Sequence, residues 1–456
     1  MKGIVLAGGS GTRIYPKRII MTTRDIPKNR LYGPLKLCLA WFGFIFIFFI
    51  LGPIRWKLHN FVPFVFFLFT YHLFFAFGYM LAIEKAKISK KVISEEKLVG
   101  YLKVLVFINF AFTFIASFRY AKLPTLSIGA LYQAVLYGLY YAGDAYMESH
   151  EAKAIMGGSL FPMIHVLLSP ILISVYPLAL FYFHKLSKVH LFVVGLTLIF
   201  EIARWLAIGT NKGVFDVVIY TLAIFFLKYL EGRRRIHFSL SRNNIIRTSF
   251  VILLLYGALS LFGSNISSRT GRERVQDIVG VSSNASYRPN SIFTFFGNES
   301  FKVTIFSLDS YLTQGYYAMS RAITEPFTST YGIGHSVFLL SNINPDVMAR
   351  SYQAKLEKYG IDRWVNWHSV YVWWANDVSF WGVILVMFIW GYYLGALYKD
   401  IRYTRNPVSI VLFTLMFIWL FYSSANNQIM AFPFQAMAFI VLTIYWFTKR
   451  NLRIGN

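Results

Sequence analysis

Apolar residues in this chain neither alternate nor keep to one helical face. They run on in long blocks, separated by short polar or basic links. A helix needs about 20 mostly apolar residues to cross the hydrocarbon core of a bilayer. About ten such stretches are predicted, at roughly 35–54, 61–82, 100–118, 160–183, 190–208, 213–230, 248–263, 372–397, 407–424 and 430–447. A further stretch, 126–142 (LSIGALYQAVLYGLYYA), is borderline and reads as a helix lying on the membrane surface.

The links between the blocks set the orientation. With the N-terminus in the cytoplasm, the inner segments include EKAKISKKVISEEK, HKLSKVH, EGRRRIHFSLSRNNIIR and KDIRYTR, all basic. Cytoplasmic links of membrane proteins carry such an excess of Lys and Arg. The fold class expected is therefore an all-α integral membrane protein with about ten spans and both termini cytoplasmic. Residues 21–263 would hold spans one to seven with an outer loop at 119–158, and 369–456 the last three spans. The large outer loop, 264–368, lies between them.

Composition agrees. Of 456 residues, 56% are hydrophobic and only 14% charged, and mean hydropathy is +0.51. Soluble domains run near 45–50% apolar and about 25% charged. Aromatics reach 19%, as suits interfacial belts. The net charge of +25 could point to nucleic acid, but the hydropathy assigns it to inner loops, so no nucleic-acid partner is expected. A single cysteine, Cys38, rules out an intrachain disulfide and a Cys-based metal site. The sequence has no P-loop, zinc motif or Asp-rich cluster, and no cofactor or metal is expected. It also lacks the pair of Gly/Pro-broken spans that marks many transporters.

The chain opens MKGIVLAGGSGTRIYP. This strand and glycine loop resembles the start of sugar-nucleotide pyrophosphorylases, in particular glucose-1-phosphate thymidylyltransferases. Gly8, Gly9, Gly11, Thr12 and Arg13 would correspond to their phosphate-holding loop. The resemblance stops at Pro16, and no alternating strands and helices follow. Residues 1–20 therefore read as a non-functional remnant, expected to be disordered, with Met21 an alternative start. No cleavable signal peptide is expected.

Candidate chemistry lies on the outer side. Glu201 and Arg204 share a helix face, and Lys212 and Asp216 follow past the turn. Two readings stand: structural ion pairs at the membrane edge, or a cationic patch for an anionic group. In the long loop, FKVTIFSLDSYLTQGYYAMSRAI has helical spacing and many aromatics, as expected of a cap. His335 in YGIGHS and His368 in NWHSVYVWWANDVSFWG are the loop's histidines, suited to proton transfer or simply packed. Asp377 sits just inside span eight among tryptophans, where a carboxylate needs a reason. Sequons at Asn265, Asn284 and Asn298 matter only in a glycosylating pathway. The spacing of GYYLG (391–395) is that of close helix packing.

The layout as a whole, with about ten spans, basic inner loops, a short cationic outer link near mid-chain and a large outer loop before the last three spans, resembles bacterial Wzy-type O-antigen polymerases. Tyr371–Gly382 (YVWWANDVSFWG) is similar to their acidic-aromatic-glycine segment after the large loop. Arg321 with Gly332, and Arg269 with Gly280, match their spacing of Arg, ten residues and Gly, although here both lie in one loop. The resemblance implies lipopolysaccharide biosynthesis in the inner membrane: a glycosyltransferase polymerising undecaprenyl-diphosphate-linked oligosaccharides at the periplasmic face. Membrane lipids surround it, and a chain-length regulator protein is an open question. On that reading Arg204, Lys212, Arg321 and Arg350 hold the diphosphate, and His368, Asp377 or His335, in that order, is the base. Tyr316, Tyr317, Trp364, Trp367, Trp373 and Trp374 stack on sugars. Two alternatives stay open, an O-antigen ligase and a lipid-linked oligosaccharide flippase or other transporter.

Overall fold

A computed structural model describes residues 28–89, 93–155, 160–232, 284–295, 298–343, 345–363 and 365–451, with parts of 249–266. The fold is a helical bundle, and among the described residues seven helices are long and apolar enough to cross a membrane. These are α1 (Gly33–Leu51), α2 (Phe61–Lys85), α3 (Glu95–Tyr120), α6 (Leu160–Phe181), α7 (Lys188–Ala207), α8 (Lys212–Leu230) and α11 (Val370–Thr404). Between α3 and α6 lie α4 (Ile128–Tyr140) and α5 (Ala142–Ile155). Two further helices close the chain, α12 (Pro407–Tyr422), only 16 residues long, and α13 (Pro433–Asn451). The stretch predicted at 248–263 falls mostly outside the described residues, as do residues 1–27 with their nucleotidyltransferase-like opening.

Hydrophobicity all round these helices leaves large apolar side chains on the outside, among them Phe69, Leu167, Ile199 and Leu385. In a soluble protein such a surface would be a liability; in a bilayer it faces lipid. The helix α4 rests on α7 with Gly138 against the Leu206 carbonyl, and leaves Ile128, Tyr132 and Tyr140 exposed.

The most extensive helix pairing among the described residues is α2 with α11. Small residues make it possible. A Cβ on Gly78 would strike the Phe388 carbonyl, and one on Gly391 the Phe75 carbonyl, so the glycine spacing of GYYLG lies at the crossing.

Ion pairs and caps identify the two ends of the bundle. At one end Glu95 meets Lys185 at 2.5 Å, and Arg405 reaches Glu95 at 3.8 Å and Glu231 at 3.6 Å. The Tyr398 hydroxyl donates to the Arg30 carbonyl there too. The opposite end carries the first turns of α8 and α11, the last turn of α7 and the long loop.

That loop has structure of its own. Its helix α9 (Glu299–Ala322) follows the predicted periodicity and is capped by Asn298, whose side chain accepts from the Phe301 N–H; the short α10 (Val337–Ile343) comes later in the loop. A two-stranded antiparallel pair, β1 (Ile54–Trp56) with β2 (Ala285–Tyr287), was not anticipated from the pattern. It ties the link after α1 to the loop. Asp309 on α9 accepts from the Ile54 N–H at 2.9 Å, and Trp56 donates to Thr313 at 2.9 Å. The sequon asparagines are used internally: Asn284 donates to the Tyr359 carbonyl, and Asn265 to Asn211.

Candidate functional site

The helix α11 is not continuous. Ser379 has φ 61° and ψ 169°, a backbone region that only glycine adopts at ease. The break separates a short segment, 370–378, from the long remainder of the helix. No proline or glycine stands at the break itself. The Tyr71 hydroxyl of α2 donates to the Phe380 carbonyl beside it, at 2.7 Å.

The short segment carries Asn376 and Asp377 near its end, and both fasten the loop Thr330–Ser336. Tyr331 and Gly332 have φ of 58° and 83°, two successive left-handed residues. This backbone turns its N–H groups inward into an anion-holding nest. Asp377 fills it. Its Oδ1 accepts from the Thr330 hydroxyl at 2.6 Å, the Gly332 N–H at 2.9 Å and the Gly334 N–H at 3.0 Å. Its Oδ2 accepts from the His335 N–H at 2.8 Å and from His335 Nδ1 at 3.0 Å. Asn376 adds a second set of bonds, donating to the Gly334 carbonyl at 3.0 Å and to Gln353 at 2.9 Å. Its backbone carbonyl accepts from the Thr330 N–H.

The tautomer of His335 follows. A carboxylate that takes so many N–H and O–H donors is ionised and only accepts, so Nδ1 carries the proton it gives to Asp377. In the neutral ring Nε2 is then an acceptor, and the side chain is 31% exposed. His335 is also held from the other side, where Asn427 donates to its carbonyl at 2.6 Å.

Arg350 joins the same loop. It donates to the Tyr331 hydroxyl, and its guanidinium lies 5.0 Å from the centre of the Tyr331 ring. Arg321 lies over the Tyr359 ring at 4.9 Å and donates to the Tyr317 hydroxyl at 3.4 Å. Neither arginine has a carboxylate partner among the described residues. The nearby Glu325 is taken by Lys358 at 2.8 Å and Tyr359 at 2.7 Å.

The other two predicted cations differ. Arg204 is ion-paired with Glu201, and Lys212 with Asp216. Arg204 also lies against the rings of Tyr120 and Trp205. Of the two readings of this charged link, the geometry is that of internally compensated ion pairs.

His368 is not available as a surface base. It is buried, edge-on to Trp373 at 6.2 Å, and burial pushes its pKa down to about 4. Most of the expected sugar platforms are likewise core residues. Tyr316 packs on Phe49 and Phe64, Tyr317 on Trp56, Trp374 on Trp390 and Trp419, and Trp373 against Leu340 and Met348. The physical reason is that an apolar stretch without polar faces gives no phase by which to tell inward from outward rings. Trp364 lies outside the described residues.

Trp367 does face open space. With Trp205, Lys212, Tyr311, Gln428 and Phe432 it lines a cavity of about 220 Å³. The turn at 427–430 joins this cavity to the His335 loop: Gln428 lines the cavity, while Asn427 and the Met430 carbonyl bind His335 and Ser336. Tyr311, Asn211, Gln428 and Asn376 had no signal in the sequence, since each acts through contacts between distant segments. Among the described residues no group of three or more His, Cys, Asp or Glu lies together as metal ligands would.

Comparison with protein-family models, with curated proteins and with solved structures finds no match to this chain.

Proposed function

We propose that this chain is an integral membrane glycosyltransferase of the O-antigen polymerase type, in a bacterial inner membrane. It has about ten spans and cytoplasmic termini, which agrees with basic links at the end of the bundle that holds Glu95, Glu231 and Arg405. The observation that carries the reading is the clasp of His335 by Asp377 at the opposite end, with Arg350, which has no carboxylate partner among the described residues, bound to Tyr331 of the same loop. A base and a cation both held to one loop are what glycosyl transfer from a lipid diphosphate requires.

In this reading His335 Nε2 takes the proton from the non-reducing hydroxyl of one repeat unit. That oxygen bonds to the anomeric carbon of the growing chain. The carbon–oxygen bond to the undecaprenyl diphosphate breaks, and its electron pair stays on the diphosphate. Arg350, with Arg321 in reserve, takes up the charge that develops there. The donor is activated by its own diphosphate, so no nucleotide enters.

The test is the lipopolysaccharide pattern of a strain lacking the gene, with and without the full chain supplied in trans. Collapse to core plus one repeat unit, restored to a ladder by the full chain, is expected. Core alone would replace the reading by a ligase or flippase. An unchanged ladder would end it.

A further inference from the structure

Asn376 and Asp377 are neighbours on one helical turn, yet they hold different things. Asp377 takes the N–H groups of the loop that carries His335. Asn376 takes that loop from its carbonyl side and reaches a second segment as well. Arg350 ends a short helix, Pro345–Arg350, and the next, Tyr352–Leu356, begins after the Ser351 cap. The Tyr352 N–H is one of the donors that a helix N-terminus leaves without an intrahelical partner. Asn376 Oδ1 accepts from it at 2.9 Å. Asn376 Nδ2 donates to Gln353 Oε1 at 2.9 Å and to the Gly334 carbonyl at 3.0 Å.

The amide therefore uses its oxygen and both its hydrogens. Two backbone groups fix which way it points, an N–H facing its oxygen and a carbonyl facing its nitrogen. These partners belong to two segments. Gly334 is next to His335, and Tyr352 is two residues from Arg350. The fit is close: Asn376 is 1% exposed, and a Cβ on Gly334 would come within 2.6 Å of the Asn376 Cβ. Two other ties join the same parts. Arg350 donates to the Tyr331 hydroxyl, and Lys355 to the Pro326 carbonyl at 2.7 Å and to Thr328 at 3.0 Å. Both ties are exposed, where water competes for the same groups. The buried amide has no such exchange open to it, so it is the firmer link.

We infer that Asn376 is a positioning residue, which fixes the segment carrying Arg350 against the loop carrying His335 and so keeps the cation and the base at one spacing. Its effect on rate rests on the glycosyltransferase reading. Adjacent residues then divide the work: Asp377 sets the tautomer of the base, and Asn376 sets where the cation's segment lies relative to it.

The experiment compares Asn376→Ala with the native full chain in detergent micelles by two readouts. The first is hydrogen exchange. Peptides covering 351–356 should exchange about tenfold faster or more, while 330–336 stays protected, because Asp377 still holds its N–H groups. The second is the rate of polymerisation of the strain's own lipid-linked repeat unit, measured across pH. A fall of about 10²-fold is expected, the effect of a small misplacement. The pH of half-maximal rate should not move, since His335 keeps its carboxylate. Added to Arg350→Ala, Asn376→Ala should cost less than about threefold more, because both act through the same cation. Should Asn376→Ala fail to accumulate, Gln353→Leu takes its place, with the same signs and smaller effects. Unchanged exchange at 351–356 would overturn the inference. So would a full rate, a shifted pH profile, or a loss that multiplies with that of Arg350→Ala. The gene-deletion ladder judges the glycosyltransferase reading separately. A collapsed ladder with any of those results ends the positioning role alone, whereas an unchanged ladder ends both.

Discussion

Asp377 Oδ2 accepts the Nδ1 proton of His335 at 3.0 Å, and the same carboxylate holds three backbone N–H groups of the loop that carries this histidine. One acidic group therefore fixes both the position and the tautomer of the ring. Removing the ring removes only the proposed base, whereas altering the carboxylate loosens the whole turn.

His335→Ala is expected to reduce chain growth by about 10²–10⁴-fold, the usual contribution of a general base, with normal accumulation in the membrane. Asp377→Asn should be equally severe, because an amide turns one or more donors toward the loop N–H groups. It should also speed proteolysis within 330–336. Long ladders from His335→Ala would remove this residue from the chemistry.

The four predicted cations should separate into two classes. Arg350→Ala is expected to shorten or abolish the ladder without loss of protein, and Arg350→Lys to restore it poorly, since an ammonium lacks the planar fork. Arg204→Ala should act on stability instead, because it leaves Glu201 unpaired at the membrane edge. The cost is about 2–3 kcal/mol, below that of a fully buried pair, since Glu201 keeps 32% exposure. Quantitative immunoblots of membranes beside the ladders measure the difference. Equal protein with a lost ladder for Arg204→Ala would return that residue to the site.

Ser379 holds a backbone conformation costing about 1–3 kcal/mol for a residue with a Cβ. Ser379→Gly relieves it, at the expense of a more flexible unfolded chain. A net gain of about 1 kcal/mol is expected. Ser379→Ala keeps the strain and should not gain. Thermal unfolding in detergent compares the two, and equal midpoints would contradict a strained break.

Much of the bundle was legible in the sequence, because a bilayer demands unbroken apolar runs and tolerates little else. The helices α2, α3 and α7 lie over their predicted stretches for that reason. The break at Ser379 was hidden, since its cause is not a local helix breaker. It depends on contacts made by Asn376, Asp377 and Tyr71 across the fold. His335 and Asp377 could each be picked out as unusual, but not as partners. Their pairing over 42 residues follows from the left-handed turn at Tyr331–Gly332. The aromatic residues were the least legible, because the pattern does not tell the buried Trp373 and Trp374 of α11 from Trp367 in the turn before it.

Asp309 gives the fold a pH dependence of its own. It is fully buried on α9, outside the spans, and anchors β1 through the Ile54 N–H. Burial raises its pKa to about 8, against the lowering effect of the Ile54 N–H, Thr313 and the nearby Arg288. An unfolded aspartate titrates near 3.9. Between about pH 4 and pH 8 the folded chain therefore holds a proton that the unfolded chain has lost. The stabilising effect of that proton is complete below the unfolded value and disappears as pH rises through the folded one. The thermal midpoint should accordingly fall from pH 5 to pH 8 by more in the native chain than in Asp309→Asn, which cannot ionise. A common slope in both proteins would mean that Asp309 does not titrate in this range and that the anchor on β1 is independent of pH.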